Sequence, residues 1–373
     1  MGHKVTRSQG HKKILLSGNE AIAKAAIGAG CRFYAGYPIT PQNELIGYMA
    51  RHMPASGGIF IQSESELSAI NMVFGASASG VRAMTSSSSP GISLMQEGIS
   101  YIAGAELPAV IVNIMRAGPG LGNIWPAQSD YFQATKGGGH GDYRCITFAP
   151  SSVQEAYNLT ALAFELADKY RIPAFILGDG MLGQMMEPII VNGKKKKLWT
   201  MDYGLSTKVW AVTGCRGRKP NVVKSFYLNM GDLEEFNLKL QEKYKNIQSK
   251  EQREEALCTD DAQVVLVAYG TMARIAKEAM YALRAQGKKV GLLRPISLWP
   301  FPETRITHII KDLAAVSQGL HRLKCFLVVE MSYGQMLEDV KLAVNGRVKV
   351  EFLGRSGGGI PSEEEIINKI KTL

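Results

Sequence analysis

The sequence predicts an α/β protein: a doubly wound parallel sheet followed by a second, smaller α/β unit. Three observations carry that expectation. Short apolar runs and helix-like stretches alternate from residue 20 to residue 180, the rhythm of a sheet covered by helices on both faces. Two of the runs are strongly apolar, Ala109–Met115 interrupted only by Asn113 and Pro173–Leu177 uninterrupted, as befits strands buried on both faces. The rhythm lapses after Gly183 and resumes at Gln263. At 373 residues the chain is long for one core, so the lapse divides it into a first domain at 14–186, a connector at 187–261 and a second domain at 262–373.

Residues 1–13 hold four basic groups and no apolar core of a signal peptide, and read as a flexible basic tail. Glu20–Gly30 is Ala-rich and predicts a helix, with Asn19 as N-cap and Gly30 as its stop. Cys31–Ala35 predicts a strand, 42–52 a helix and Ile59–Gln62 a strand. The helix expected over Glu66–Gly80 is built of small residues, Ser68, Ala69, Gly75, Ala76 and Ala78, so a neighbour packs very close to it. A strand at Arg82–Ser86 and a helix at 92–104 precede Ala109–Met115, and Glu155–Tyr170 is the long helix before Pro173. In the connector, residues 232–256 place opposite charges at i, i+4 and suit one exposed amphipathic helix. The second domain has strands at Val264–Gly270, Lys289–Arg294, Cys325–Glu330 and Val348–Leu353. Its helices fall at 271–286, at 335–344 and from Ser362, where S-E-E-E puts acidic charge at a helix N-terminus.

Net charge is +10, but the first domain is slightly acidic and the excess lies in the tail and the back half. The tight basic cluster, Lys194–Lys197, reads as a solvated turn and not a nucleic-acid patch. No apolar run is long enough to span a membrane. Five cysteines, at 31, 145, 215, 258 and 325, form no C-x-x-C pair. That argues against a zinc site, iron–sulfur ligation or a disulfide framework in this chain, and points to a reducing cytoplasm.

Four motifs fall where a strand ends or a helix begins: Y-P-I-T-P from Tyr37, Q-S-E-S-E from Gln62, S-S-S-S-P-G from Ser86 and N-I-M-R-A-G-P-G from Asn113. Together they deliver a hydroxyl, a carboxylate and a guanidinium toward one rim of the sheet, where α/β proteins build ligand sites. Glu64 and Glu66 sit two residues apart and cannot both be comfortably buried as anions, so one is expected to be exposed and structural. From the residues alone, Thr40 is either a substrate ligand or a hydroxyl capping the 42–52 helix. Arg116 is either an anion ligand or half of a surface ion pair. His140, flanked by glycines, is either a polar lid or a loop histidine. The run G-P-G-L-G from Gly118 lacks dinucleotide spacing, and Pro119 removes an N–H that a phosphate cradle needs.

These motifs, in this order, resemble the α subunit of the 2-oxoacid:ferredoxin oxidoreductases, closest to the branched-chain 2-oxoacid and 2-oxoglutarate types. The likeness extends to K-G-G-G-H-G-D-Y from Lys136 and to P-I-S-L-W-P-F-P from Pro295. It implies a pyrimidine-binding thiamin-diphosphate domain followed by a transketolase-C-terminal-like domain. It implies oxidative decarboxylation of a 2-oxoacid with coenzyme A to an acyl-CoA, CO2 and reduced ferredoxin. The resemblance places the cofactor-activating glutamate at Glu66, beside the pyrimidine, with Pro38 and Ile39 as further cofactor neighbours. A carboxylate there favours the imino tautomer that removes the thiazolium C2 proton. Thr40 then meets the substrate's keto oxygen, Arg116 its carboxylate, and His140 lies at the edge of the same site.

Gly178-Asp179-Gly180 echoes the Gly-Asp-Gly with which thiamin enzymes hold Mg2+, but no asparagine follows between 200 and 212. It reads as a strand-to-loop turn. No metal ligand is therefore expected in this chain, and Mg2+, the diphosphate and the 4Fe–4S clusters are assigned to partners resembling the family's β, γ and ferredoxin-like δ subunits. The alternative is a non-catalytic assembly or regulatory subunit. Apolar wall candidates Ile39, Ile124 and Trp125 favour a branched tail, with 3-methyl-2-oxobutanoate ahead of 2-oxoglutarate, whose second carboxylate lacks an evident cation here.

Overall fold

A computed structural model describes residues 13–191, 208–315 and 323–373. Most of the N-terminal tail and the Lys194–Lys197 cluster lie outside those residues. The first unit begins with β1 (Lys13–Ser17), α1 (Gly18–Gly28), β2 (Phe33–Gly36), α2 (Asn43–His52) and β3 (Ile59–Gln62). It continues with α3 (Glu66–Ala78), β4 (Ala83–Ser87), α4 (Ser89–Gly104) and β5 (Ala109–Met115). A short α5 (Tyr131–Thr135), β6 (Ile146–Phe148), α6 (Val153–Tyr170), β7 (Pro173–Asp179), α7 (Gly180–Gln184) and β8 (Met186–Ile190) complete it.

Next come α8 (Asp232–Lys250) and β9 (Glu254–Leu257). The second unit holds β10 (Val264–Val267), α9 (Gly270–Ala285), β11 (Val290–Pro295), β12 (Ser297–Trp299) and α10 (Glu303–Ala315). It ends with β13 (Cys325–Glu330), α11 (Gln335–Val344), β14 (Lys349–Gly354) and α12 (Glu363–Lys371).

The doubly wound expectation holds. A seven-stranded sheet runs β12-β6-β7-β5-β4-β2-β3, parallel except for β12. Every residue of β5 and β7 is buried, because α3 and α4 cover one face while α1, α2 and α6 cover the other. Parallel register brings Gly36 beside Gln62, Ser87 beside Asn113 and Met115 beside Asp179. Those strand ends form the rim that carries the site.

The second sheet runs β14-β13-β10-β11-β9, with β9 antiparallel at its edge. One hydrophobic core continues from Ile70 and Ile99 through Tyr131 to Tyr269 and Phe326, so the two units are welded together. Gln128 donates to the Tyr269 carbonyl and accepts from the Met331 N–H.

Several sequence-level expectations need correction. The α1 N-cap is Ser17, in a capping box with Glu20; Asn19 is buried and donates instead to the Pro41 carbonyl and to Glu44. The connector is structural at both ends: β8 pairs antiparallel with β1, and β9 joins the second sheet. Between them α8 stops at Lys250 and buries Leu240, Tyr244 and Ile247 against the first unit. Strand β12, from the second unit's sequence, pairs with β6 in the first sheet.

Arg294 on β11 clamps the units. Its guanidinium grips Glu155 of α6 with two bonds of 2.9 and 2.7 Å and Glu255 with a third of 2.8 Å. Burial raises the Glu155 carboxyl, but hydrogen bonds and charge from Arg294 outweigh it, leaving the group below the ordinary 4.5. A depressed carboxylate stabilises the fold above its unfolded pKa, and that contribution is lost as pH falls through the folded value. The folded protein should therefore lose thermal midpoint as pH drops below 4.5, and Glu155→Gln should flatten that limb. An unchanged pH dependence in the variant would show that the clamp contributes nothing to acid stability.

Candidate active site

The turn after β2 is fixed from below. Tyr34 hydrogen-bonds Ser86 at 2.6 Å, Ser86 donates to Gln42 Oε1 at 2.7 Å, and Gln42 Nε2 donates to the Tyr37 carbonyl at 3.2 Å. The Thr40–Pro41 peptide is cis. Pro38 is exposed and Ile39 half-buried. The capping alternative for Thr40 fails: Gln42 is the residue preceding α2 and makes no side-chain cap. The Thr40 hydroxyl is exposed and accepts only a long 3.4 Å contact from the Asn43 side chain, so it is free toward a ligand.

Glu66 and Glu64 divide as expected. Glu64 is exposed, held below the ordinary carboxylate range by hydrogen bonds from Ser68 and Ser65. Glu66 is 5% exposed at the first position of α3. Its Oε1 accepts a hydrogen bond from Ser87 at 3.0 Å. Its second oxygen makes no hydrogen bond and is not sealed off from the surface. A Cβ on Gly91 would lie 2.3 Å from Oε1, so glycine there is what admits the carboxylate to the first turn of α4. Two helix N-termini thus direct their positive ends at one carboxylate.

Arg116 is 7% exposed and makes no ion pair among the described residues, so it is not half of a surface pair. Nη1 donates to the Thr40 carbonyl at 3.1 Å and Nη2 to the Leu121 carbonyl at 3.0 Å. Nε has no partner. Three of the five N–H groups, the buried Nε–H among them, have no partner among the described residues, on a guanidinium with no counter-charge there, which is costly. Behind it, Ser89 accepts from the Arg116 N–H at 3.0 Å and lies 2.5 Å from Asp130 Oδ2, which also accepts from Asn113 at 2.8 Å. Burial holds the Asp130 carboxyl above its usual range despite those two donors. Ser87, Ser89, Asn113 and Asp130 were not singled out from the sequence, although the first three stand inside the quoted motifs.

Glu66, beside Gly91, and the Arg116 main chain, bonded to Ser89, meet the first turn of α4, and the Thr40 carbonyl is tied to the Arg116 guanidinium. His140 does not join them. It is exposed, and its carbonyl accepts from Ser100, eleven residues or roughly 16 Å along α4 from Ser89. Asp179 N-caps α7 through Met181 and Leu182 and accepts from Thr271, so its oxygens are spent inside the fold. Among the described residues no group of three His, Cys, Asp or Glu is placed to hold a metal. Two clefts of about 620 and 240 Å³ lie elsewhere, and neither touches Thr40, Glu66 or Arg116. The rim is an open half-site.

The whole chain superimposes on a split-gene transketolase with a TM-score of 0.56 at 12% identity, covering 96% of this chain and 97% of that one, which shows the fold alone. The family described as "Pyruvate flavodoxin/ferredoxin oxidoreductase, thiamine diP-bdg" matches residues 24–253, and "Pyruvate:ferredoxin oxidoreductase core domain II" matches 262–366. Ketoisovalerate oxidoreductase subunit VorB of Methanothermobacter marburgensis is 50% identical over 96% of this chain and 97% of its own length. The 2-oxoglutarate synthase subunit KorA of the same organism is 37% identical over 96% and 98%. A solved 2-oxoglutarate:ferredoxin oxidoreductase from Magnetococcus marinus, with 2-oxoglutarate, coenzyme A and succinyl-CoA bound, matches at TM-score 0.81 and 27% identity. That match covers 98% of this chain and 66% of that chain. This chain belongs to the 2-oxoacid:ferredoxin oxidoreductase family, as a subunit carrying its thiamin-diphosphate-binding domain. No helix among the described residues is long and apolar enough to cross a membrane.

Proposed function

We propose that this chain is the pyrimidine-side α subunit of an enzyme that oxidatively decarboxylates a 2-oxoacid, with coenzyme A, to an acyl-CoA, CO2 and reduced ferredoxin. The observation that carries the reading is Glu66: a buried carboxylate with one oxygen anchored, the other open, at the strand-end rim. Thiamin diphosphate, when bound, supplies the electron sink for losing CO2. Glu66, with Pro38 and Ile39 beside it, holds the pyrimidine and its ring-nitrogen proton. Arg116 takes the substrate carboxylate with its remaining N–H groups, and Thr40 donates toward the keto oxygen. Mg2+, the diphosphate and the 4Fe–4S clusters belong on β, γ and ferredoxin-like δ partners, since Asp179 is committed elsewhere. The complex works in the cytoplasm, where its free thiols stay reduced.

For the substrate we favour 3-methyl-2-oxobutanoate over 2-oxoglutarate. Ile124 and Trp125 extend an apolar surface beside Arg116, with Trp125 lying over Gly358 of the second unit. The greater likeness to a ketoisovalerate oxidoreductase subunit supports the same choice. The test is acceptor reduction by the intact complex with coenzyme A and a panel of 2-oxoacids. A kcat/KM for 2-oxoglutarate about tenfold above the branched acids, roughly 1.4 kcal/mol, would overturn the substrate assignment.

A further inference from the structure

We infer that Ser87 is a positioning residue for cofactor activation: its hydroxyl fixes the Glu66 carboxylate in the single rotation that leaves the second oxygen open. The inference rests on the proposed role of Glu66. A glutamate side chain has three rotatable bonds, and its terminal carboxylate torsion is broad, so the position of Glu66 on α3 does not by itself aim its oxygens. Within the described structure the aim is set from two sides. Ser87, fully buried at the end of β4, stands 3.0 Å from Oε1. The serine hydroxyl is the donor. Gly91, one turn into α4, forms the opposite wall: a Cβ there would lie 2.0 Å from Ser87 Oγ and 2.3 Å from Glu66 Oε1. The slot therefore fits the serine hydroxyl, the carboxylate oxygen and no additional carbon.

Ser86 cannot replace Ser87 in this role. Successive residues of a strand face opposite sides of the sheet, and Ser86 is already bonded to Tyr34 and Gln42 under the Thr40 turn. Adjacent serines of one strand thus index the two halves of the rim, Ser86 the substrate turn and Ser87 the activating carboxylate.

The test uses the reconstituted complex loaded with thiamin diphosphate. Exchange of the cofactor's C2 proton for deuterium is followed by quenched NMR, and cofactor affinity by titration. Ser87→Ala should slow exchange about tenfold to a hundredfold, the usual cost of losing an orienting partner, while cofactor Kd changes less than about threefold. Gly91→Ala, which crowds the same contact from the other side, should slow exchange as well. Exchange in Ser87→Ala within about threefold of wild type, with Glu66→Gln strongly slowed, overturns the role of Ser87 and leaves that of Glu66 standing. Normal exchange in Glu66→Gln removes the premise itself. Should Ser87→Ala fail to assemble, Ser87→Cys, slightly larger and only a weak donor, is read by the same criteria.

Discussion

Glu66→Gln is expected to lower 2-oxoacid-dependent acceptor reduction by the assembled enzyme about 10²–10⁴-fold, the range for removing a general acid–base group. The substitution is nearly isosteric. The amide oxygen still accepts from Ser87, so the slot beside Gly91 stays filled and the fold is retained. What disappears is the negative charge between the first turns of α3 and α4. Saturating cofactor should not restore the rate, because the loss lies in proton handling and not in affinity. Turnover near that of the wild type would make Glu66 architectural and would favour a non-catalytic assembly subunit.

Arg116→Lys should be nearly as damaging, but in a different parameter. Lysine keeps the charge and loses the planar fork that reaches the Thr40 and Leu121 carbonyls together. Truncating one partner of a buried, hydrogen-bonded charge pair costs about 2–5 kcal/mol. With the 2-oxoacid carboxylate as partner, kcat/KM should fall roughly 30- to 4,000-fold, most of it in KM. Steady-state kinetics against 2-oxoacid concentration would show this, with cofactor C2 exchange unchanged. A kcat/KM within threefold of wild type would remove Arg116 from the substrate site.

Elements whose signal is local were legible in the sequence. β13 and α11 fall at Cys325–Glu330 and Gln335–Val344, as composition and turn residues indicated. β5 and β7 announced themselves as mostly apolar runs, broken only by Asn113 in β5 and by Gly178 and Asp179 at the end of β7. The misses are short elements fixed by distant partners. β1, β8 and β12 are three to five residues long and sit at sheet edges, so nothing local distinguishes them from loop. α10 did carry a signal, Ile306, Ile309 and Ile310 on one face after the P-F-P run, but that proline-rich entry obscured it.

At the site, residue types and strand ends pointed to the rim, and the family resemblance separated Glu66 from Glu64. The sequence could not reveal that Arg116 binds main-chain carbonyls, that Ser87 anchors Glu66, or that Gly138 and Gly139 beside His140 pack against Gln96 and Ser100 of α4. Each is a tertiary contact between segments far apart in the chain.

The pairing of β12 with β6 also bears on how the polypeptide emerges from the ribosome. The edge of the first sheet at Phe148 waits for Ser297 and Trp299, about 150 residues later. At roughly 5–20 residues per second that edge stays open for about 8–30 s of translation. An unpaired parallel-sheet edge is a template for wrong partners, so nascent chains arrested before Trp299 should associate with one another or recruit holding chaperones. For the same reason a truncation at residue 261 would leave a sheet without its border, and the natural point of division for expressing the first unit lies beyond Trp299 instead of at the apparent domain boundary.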